Sequence, residues 1–249
     1  MRIKLGEEEQ SFEYGATVQD ILKGFSNEHT KGAVCCKINN KLIDLKKSIK
    51  RSCTIEIITK KSPEYIDILK HSASHILEQA VKTVFPTVKC WRASANKIGF
   101  YCDFDFKSPI TFEDLSVIED EMDKIIKAHF EITRKEMHRD EAIEIMKEAN
   151  EPFKIELIES FSDKKKIILY SQGDFVEICS GPHIKSTDQI KHFKLTRFTG
   201  SYLKDNKFGI DKKLLTRIYG VVFEKKSELD DFMKVYLEKK KRFRKNFIK

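Results

Sequence analysis

Two pairs of residues in this 249-residue chain have the chemistry of a reactive site. His71 and His75 stand four apart in YIDILKHSASHILEQAVKTVF. On a helix that spacing puts both imidazoles on one side, a turn apart. Cys179 and His183 stand four apart in DFVEICSGPHI, with Gly181-Pro182 between them. A Gly-Pro turn folds the thiol and the imidazole towards one another. Either pair alone is more common in a packed core or on a solvated surface than in a site. Together they offer three imidazoles and a thiol, the donor types of a tetrahedral zinc site. The same set makes a polar pocket able to grip and hydrolyse an ester. The usual order of a thiol protease is not recognisable, and no Asn or Asp partner carries a distinctive motif.

The elements that must position these pairs make an α+β chain. Residues 1–61 read as ββαβββ: MRIKL and SFEY are strands, and Gly15 turns the chain. Thr17 then caps VQDILKGF, AVCCKI and KLIDL flank a turn at Asn39-Asn40, and CTIEIIT closes the unit. This order suggests a sheet gripping one helix, as in ubiquitin-like folds. The unit shows no titratable cluster, which favours docking over catalysis. Residues 62–225 read as a mixed unit with antiparallel pairing. Ser62 is expected to cap the long helix with Pro63 in its first position, and Pro86 stops it. IGFYCDFDF reads as a strand, and Thr111 caps the amphipathic helix that follows it. EITRKEMH reads as a strand and DEAIEIMKEAN as a helix. FKIELIES, KKIILYSQG, DFVEICSG and HFKLTRFTGSYL read as strands or strand-loops, and LLTRIYGVVF is apolar and β-rich. Residues 226–249 read as a helix that ends strongly basic.

Lys plus Arg number 47 and Asp plus Glu 39, a net charge of +8 that favours an anionic partner such as nucleic acid. No apolar run approaches the ~18 residues of a membrane-spanning helix. The start MRIKLGEEEQ lacks the apolar core of a secretory signal, and its acids argue against a transit peptide. Six cysteines in a chain this long do not make a disulfide framework, so they are expected to be reduced thiols in the cytoplasm. Cys35 and Cys36 are expected to be buried, and Trp91 to serve packing. His29, His129, His138 and His192 have no partner pattern.

HSASH, NEPFKIELI, DFVEICSGPHI, HFKLTRFTGSYL and DKKLLTRIYG, in this order, resemble the editing domain of threonyl-tRNA synthetases. ATVQDIL and AVCCKINNKLIDL resemble the family's amino-terminal TGS domain, a β-grasp fold. The two histidine-containing pairs are shared with alanyl-tRNA synthetase editing domains, while RIYG followed by a basic helix points to the threonyl branch. The resemblance implies a TGS domain at 1–61, an editing (second additional) domain at 62–225 and a basic linker helix at 226–249. It implies hydrolysis of the ester of seryl-tRNA(Thr), with threonine excluded. His71, His75, Lys154, Cys179 and His183 would carry the reaction, with either His71 or Lys154 orienting the water. Cys179 offers a covalent alternative. Tyr101 and Glu177 would bind substrate, Glu177 standing where the family usually has Asp. Lys239, Lys240, Lys241, Arg242 and Arg244 would pair with tRNA phosphates. His71, His75, Cys179 and His183 hold zinc in the alanyl relatives, and the threonyl branch works without it. No cofactor is therefore required here, and zinc is an option.

Three departures from the family pattern bear on that reading. Ser180 replaces the usual Arg, Glu177 is a methylene longer than Asp, and CWRASANKIGFYCDF departs around Tyr101. The Ser180 and Glu177 departures and the basic tail favour, as an alternative, a non-catalytic tRNA-binding or regulatory module with the same fold. The family's aminoacylation core has no counterpart after KKKRFRKNFIK. Threonine ligation is therefore not expected of this chain alone, and the core of the same enzyme would be a partner if the chain is a fragment.

Overall fold

The structure, a computed structural model, describes residues 1–163, 165–202 and 214–247, with side chains as far as Arg242. Leu203 and Asp211 to Lys213, parts of two motifs above, lie outside the described residues, as does the side chain of Arg244.

The first unit runs β1 (Arg2–Leu5), β2 (Glu8–Ser11), α1 (Val18–Lys23), α2 (Asn27–Thr30), β3 (Ala33–Ile38), β4 (Lys41–Asp44) and β5 (Cys53–Thr59). Its sheet has the order β2-β1-β5-β3-β4, with β1 and β5 parallel and the other neighbours antiparallel. α1 buries Val18, Ile21 and Leu22 among Ile3, Leu5, Cys36 and Ile55. The expected cap is present, because the Asp20 N–H donates to the Thr17 hydroxyl at 3.2 Å. Asn39 and Asn40 both take positive φ, 49° and 61°, and close the β3–β4 hairpin in two residues. The second strand lies earlier than SFEY. Gly6, at φ 59°, turns the chain tightly enough for Glu8 to pair with Leu5.

The second unit is built on α3 (Tyr65–Val84). It begins two residues after the position expected for it, because Ser62 does other work: its hydroxyl accepts from the Thr59 N–H at 3.0 Å, and Glu64 takes the cap position. The chain continues through β6 (Lys89–Ala95), β7 (Phe100–Asp105), α4 (Phe112–Lys127), β8 (Thr133–Met137), α5 (Arg139–Glu148) and α6 (Pro152–Glu159). It then forms β9 (Ile167–Gln172), β10 (Phe175–Ile178), β11 (His192–Tyr202), β12 (Leu214–Phe223) and α7 (Lys226–Phe247). The sequence reading contains no counterpart of β6. Two antiparallel sheets result, of orders β11-β12-β7-β6 and β10-β9-β8. α3 packs against α4, β6 and β7. Phe100, Cys102 and Phe104 alternate inward from β7 into the cluster that holds Ile76, Leu77 and Ile118. The smaller sheet shares a second cluster with α5 and α6, made of Met137, Ala142, Met146, Ile158, Ile167 and Leu169.

FKIELIES, expected as a strand, is the helix α6. Pro152 in its first turn pre-sets helical φ, and the buried residues Phe153, Lys154 and Ile158 follow a helical rather than an alternating pattern. α7 leans on the larger sheet through Phe232 and Phe223, 5.5 Å between centroids, and through the Tyr236 hydroxyl, which donates to the Thr196 carbonyl at 3.0 Å. Among the described residues no helix is long and apolar enough to cross a membrane. All six cysteines are unpaired, with Cys35 and Cys36 fully buried.

α4 starts in a two-way cap. The Asp114 N–H donates to the Thr111 hydroxyl at 3.3 Å, and the Thr111 N–H donates to the Asp114 carboxylate at 2.7 Å. Thr111→Ala removes half of it. A loss of about 1 kcal/mol in unfolding free energy is expected, read from urea denaturation at unchanged slope.

Candidate active site

α3 is buried on nearly every side, including at Ser72, His75 and Glu78. His71 and His75 project from it towards the loop after β10, where Gly181-Pro182 is a cis turn at Gly181 φ 66°. That turn delivers Cys179 and His183. The thiol lies 3.2 Å from His71 Nε2 and 3.3 Å from His183 Nε2, and accepts from the Gly181 N–H at 3.3 Å. The imidazole centroids are 4.4 Å apart for His71–His183 and for His75–His183. Two of the imidazoles have a further partner that fixes them. The His71 ring bonds the Pro182 carbonyl. His183 Nδ1 lies 3.2 Å from the Ser72 hydroxyl, which also accepts from the Ile184 N–H at 3.1 Å. The four residues that sequence spacing singled out therefore form one cluster.

Burial sets the protonation of this cluster. It lowers His71 and drives His75 and His183 well below the ordinary histidine value, so all three imidazoles are neutral near pH 7. It also pushes the Cys179 thiol up to about 12, which keeps it a thiol. The four candidate ligand atoms lie within 4.8 Å of one another. The edges of a tetrahedral zinc site measure roughly 3.3–3.8 Å, and the two sulfur–nitrogen distances approach that. Neutral imidazoles suit such an ion, and an ion would itself deprotonate the thiol. The donor set fits zinc.

Behind the cluster lies a buried ionic network. Lys154 Nζ donates to Glu177 Oε1 at 2.6 Å and lies 3.7 Å from Glu78. Lys82 meets Glu78 at 2.6 Å and Glu151 at 2.9 Å. Three carboxyl groups thus face two ammonium groups. Glu78 and Glu177 are also within hydrogen-bonding reach of one another, and each keeps one buried oxygen with no other partner. A proton held between them resolves both. Burial, reinforced by Glu78, raises Glu177 above the carboxylate range. Burial also acts against Glu78, yet Lys154 and Lys82 outweigh it and keep that carboxyl ionised. Lys154 stays protonated, because Glu177 and Glu78 overcome its burial.

The remaining expected residues fall on both sides of the site. Lys154 and Glu177 lie in the network beneath the cluster, both buried. Tyr101 does not join them. It projects from the face of β7 opposite α3, with the Arg217 guanidinium 4.2 Å over its ring, and Arg217 also binds Asp103 through two nitrogens. The inward neighbour is Cys102, whose thiol donates to the Ser74 carbonyl at 3.1 Å. Strand alternation alone separates the two. Trp91 packs edge-on to Phe153, 5.2 Å between centroids. On α7, Lys239, Lys241 and Arg242 are exposed, and Lys240 sits 4.9 Å over the Phe112 ring. Glu78 and Lys82 were missed, although His71, His75, Glu78 and Lys82 form a single helical stripe that was legible. Nothing local announced Glu151 or Ser72.

His71 opens onto a cavity of about 470 Å³, walled by Ala93, Ser94 and Ala95 of β6, by Gly181 and Pro182, and by Lys41 and Leu42 of the first unit. A cluster of neutral bases under such an opening can hold a water against a bound ester, with a fixed ammonium nearby.

Residues 167–219 match the family described as the threonyl and alanyl tRNA synthetase second additional domain. The chain is 42% identical over 233 residues to the threonine–tRNA ligase of Caldanaerobacter subterraneus, covering 94% of this chain and 36% of that protein. It is 43% identical over 230 residues to the ligase of Clostridium kluyveri (92% and 36%) and 40% identical over 233 residues to that of Acetivibrio thermocellus (94% and 36%). The chain thus spans little more than a third of the length of these relatives.

Glu177→Gln tests the shared proton. The amide keeps the acceptor for Lys154 and offers Glu78 a permanent donor. A carboxyl raised by folding stabilises fully below its unfolded value and loses that contribution as pH rises towards its folded value. The stability of Glu177→Gln relative to the parent protein should therefore grow between about pH 5 and about pH 8, measured by urea unfolding. An advantage that is flat across that range overturns the shared proton.

Proposed function

The chain is a relative of the threonine–tRNA ligases that carries the second additional domain of threonyl and alanyl tRNA synthetases, and from that premise we propose that it hydrolyses seryl-tRNA(Thr). The observation that carries this reading is the convergence of His71, His75, Cys179 and His183 beneath a cavity onto which His71 opens, with all three imidazoles neutral. Serine and threonine differ by one methyl group, which a binding pocket discriminates by only ~1–3 kcal/mol. A second site that rejects the larger residue supplies the rest.

An aminoacyl ester is activated already, so a positioned water, a base and a donor to the developing oxyanion suffice. A neutral imidazole, His71 at the cavity or His75 beneath it, orients the water and takes its proton. Lys154 has no lone pair to offer while Glu177 and Glu78 hold it protonated, so its part is positioning and electrostatic rather than basic. Cys179, held as a thiol, is a weak nucleophile, which favours direct attack by water over an acyl-enzyme. Glu177 is drawn inward to Lys154, and in this reading binds the seryl amine only if that contact opens. Zinc held by His71, His75, Cys179 and His183 would supply a Lewis acid and an acidified water. The first unit takes the part of the TGS domain, the exposed basic end of α7 pairs with tRNA phosphates, and the setting is the cytoplasm. In a longer protein the partner would be the aminoacylation core.

The test is deacylation of seryl-tRNA(Thr), with threonyl-tRNA(Thr) as control. Selective loss of serine is expected, falling roughly 10²- to 10⁴-fold in His75→Ala. A folded, tRNA-binding chain with no loss above the uncatalysed rate overturns the hydrolase and leaves the binding module. Repeating the assay after chelation, with metal content measured alongside, decides the zinc.

A further inference from the structure

A second opening of about 1020 Å³ lies between the two units, and its wall includes Asp44, Tyr170 and His183. These three residues make a chain of contacts that runs from the first sheet into the site. Asp44 ends β4 of the first unit. One of its carboxylate oxygens accepts from the Lys46 N–H at 2.7 Å, which fixes the side chain. The other accepts from the Tyr170 hydroxyl at 2.8 Å, across 126 residues of sequence. Tyr170 stands on β9 and is 3% exposed. Its ring meets the His183 ring edge-on at 4.5 Å between centroids. It also lies against Gly181, so closely that a Cβ there would stand 2.0 Å from the phenol oxygen. The phenol therefore touches both His183 and the turn that joins His183 to Cys179.

We propose that Asp44 and Tyr170 are positioning residues, through which the first unit holds the Cys179–His183 turn in its reactive geometry. His183 has one polar anchor on its Nδ1 side, Ser72. Its Nε2 meets only the Cys179 thiol, which belongs to the same turn and moves with it. Tyr170 packs against both the ring and the turn, and a phenol free to shift would let them drift together. Asp44 removes that freedom at the cost of one hydrogen bond. Displacement of a reacting group by about an ångström can cost as much as 100-fold in rate. The arrangement thus gives the first unit a role in catalysis without placing any of its side chains on the substrate.

The inference rests on the hydrolase reading for its kinetic arm. Asp44→Ala and Tyr170→Phe keep the ring in its packing and delete the hydrogen bond. Each should lower kcat for seryl-tRNA(Thr) roughly 10- to 100-fold at unchanged KM. The double variant should lose no more than either single one. Asp44→Asn, which can donate to the phenol oxygen, should restore most of kcat. Lys46→Ala is the control. It removes the 3.3 Å ion pair to Glu131, another contact between the two units, and should leave kcat unchanged. Full kcat in Asp44→Ala, losses that multiply in the double variant, or an equal loss in Lys46→Ala would overturn the proposal. A second arm needs no activity: the ring ¹H–¹³C resonance of His183 should shift in Asp44→Ala and stay in Lys46→Ala. If the chain hydrolyses nothing, that arm decides alone. A shift confined to Asp44→Ala sustains the positioning chain while the hydrolase reading fails, and an unmoved resonance overturns the chain itself.

Discussion

Helix α3 is buried on nearly every side, and one stripe of it carries two imidazoles, a carboxylate and an ammonium. A helix in that position could be apolar throughout, yet this one buries polar groups as well. Burying Glu78 completely, without water, would cost several kcal/mol unless cations met it. Lys82 from the same helix and Lys154 from α6 do so. Those lysines in turn require Glu151 and Glu177, and Glu177 lies two residues before Cys179. The smaller sheet, α6 and the turn after β10 are thus tied to α3 by charge as much as by apolar contact. The network is less a source of stability than a constraint on register. Apolar replacements of similar volume can fold as tightly, but they would not hold β10 and its turn at one position along the helix.

The same burial separates groups that would otherwise behave alike. Histidine is the residue that changes charge near neutral pH, yet here desolvation holds His71, His75 and His183 neutral with nothing ionic beside the first and last to oppose it. Lysine loses its proton most readily when buried, yet Lys154 keeps it because two carboxyl groups face it. Bases and cation are thereby kept distinct within one small volume. Neither assignment depends on what binds in the cavity.

The sequence made the cluster legible and left its supports mostly hidden, for a physical reason. Spacing reports relations within an element, so His71 with His75 and Cys179 with His183 could be read directly. The extension of the first pair to Glu78 and Lys82 was readable by the same rule, because the stripe continues at helical intervals. Cys102 rather than Tyr101 faces α3, and alternation along β7 settles that only once the inward side of the strand is known. Resemblance marks Lys154 as a site residue, but FKIELIE reads locally as a strand, since it carries β-branched residues in an alternating run. Pro152, the packing of Ile158 in the cluster of the smaller sheet and that of Phe153 against Trp91 of β6 decide for helix. Asp44 and Tyr170 stand on different units, and no local pattern could join them.

The two openings onto the cluster suggest how the first unit and the site depend on each other. Lys41 and Leu42, on the β3–β4 hairpin, wall the cavity at His71, while Asp44, at the end of the same strand, bonds Tyr170 behind His183. A single four-residue strand therefore borders the site on two sides. The hairpin owes its short reach to the two left-handed asparagines at its tip, which set the register of β4 against β3. A slip of one residue would turn Asp44 away from Tyr170 and replace Leu42 at the cavity wall. Lys46 and Glu131 add a screened, exposed contact, worth little by itself. The buried contacts of Cys35 and Ile58 with the α3 cluster do more to fix the two units together. Mutual dependence of this kind explains why a small sheet without titratable clusters of its own is packed against a site rather than carried on a free linker.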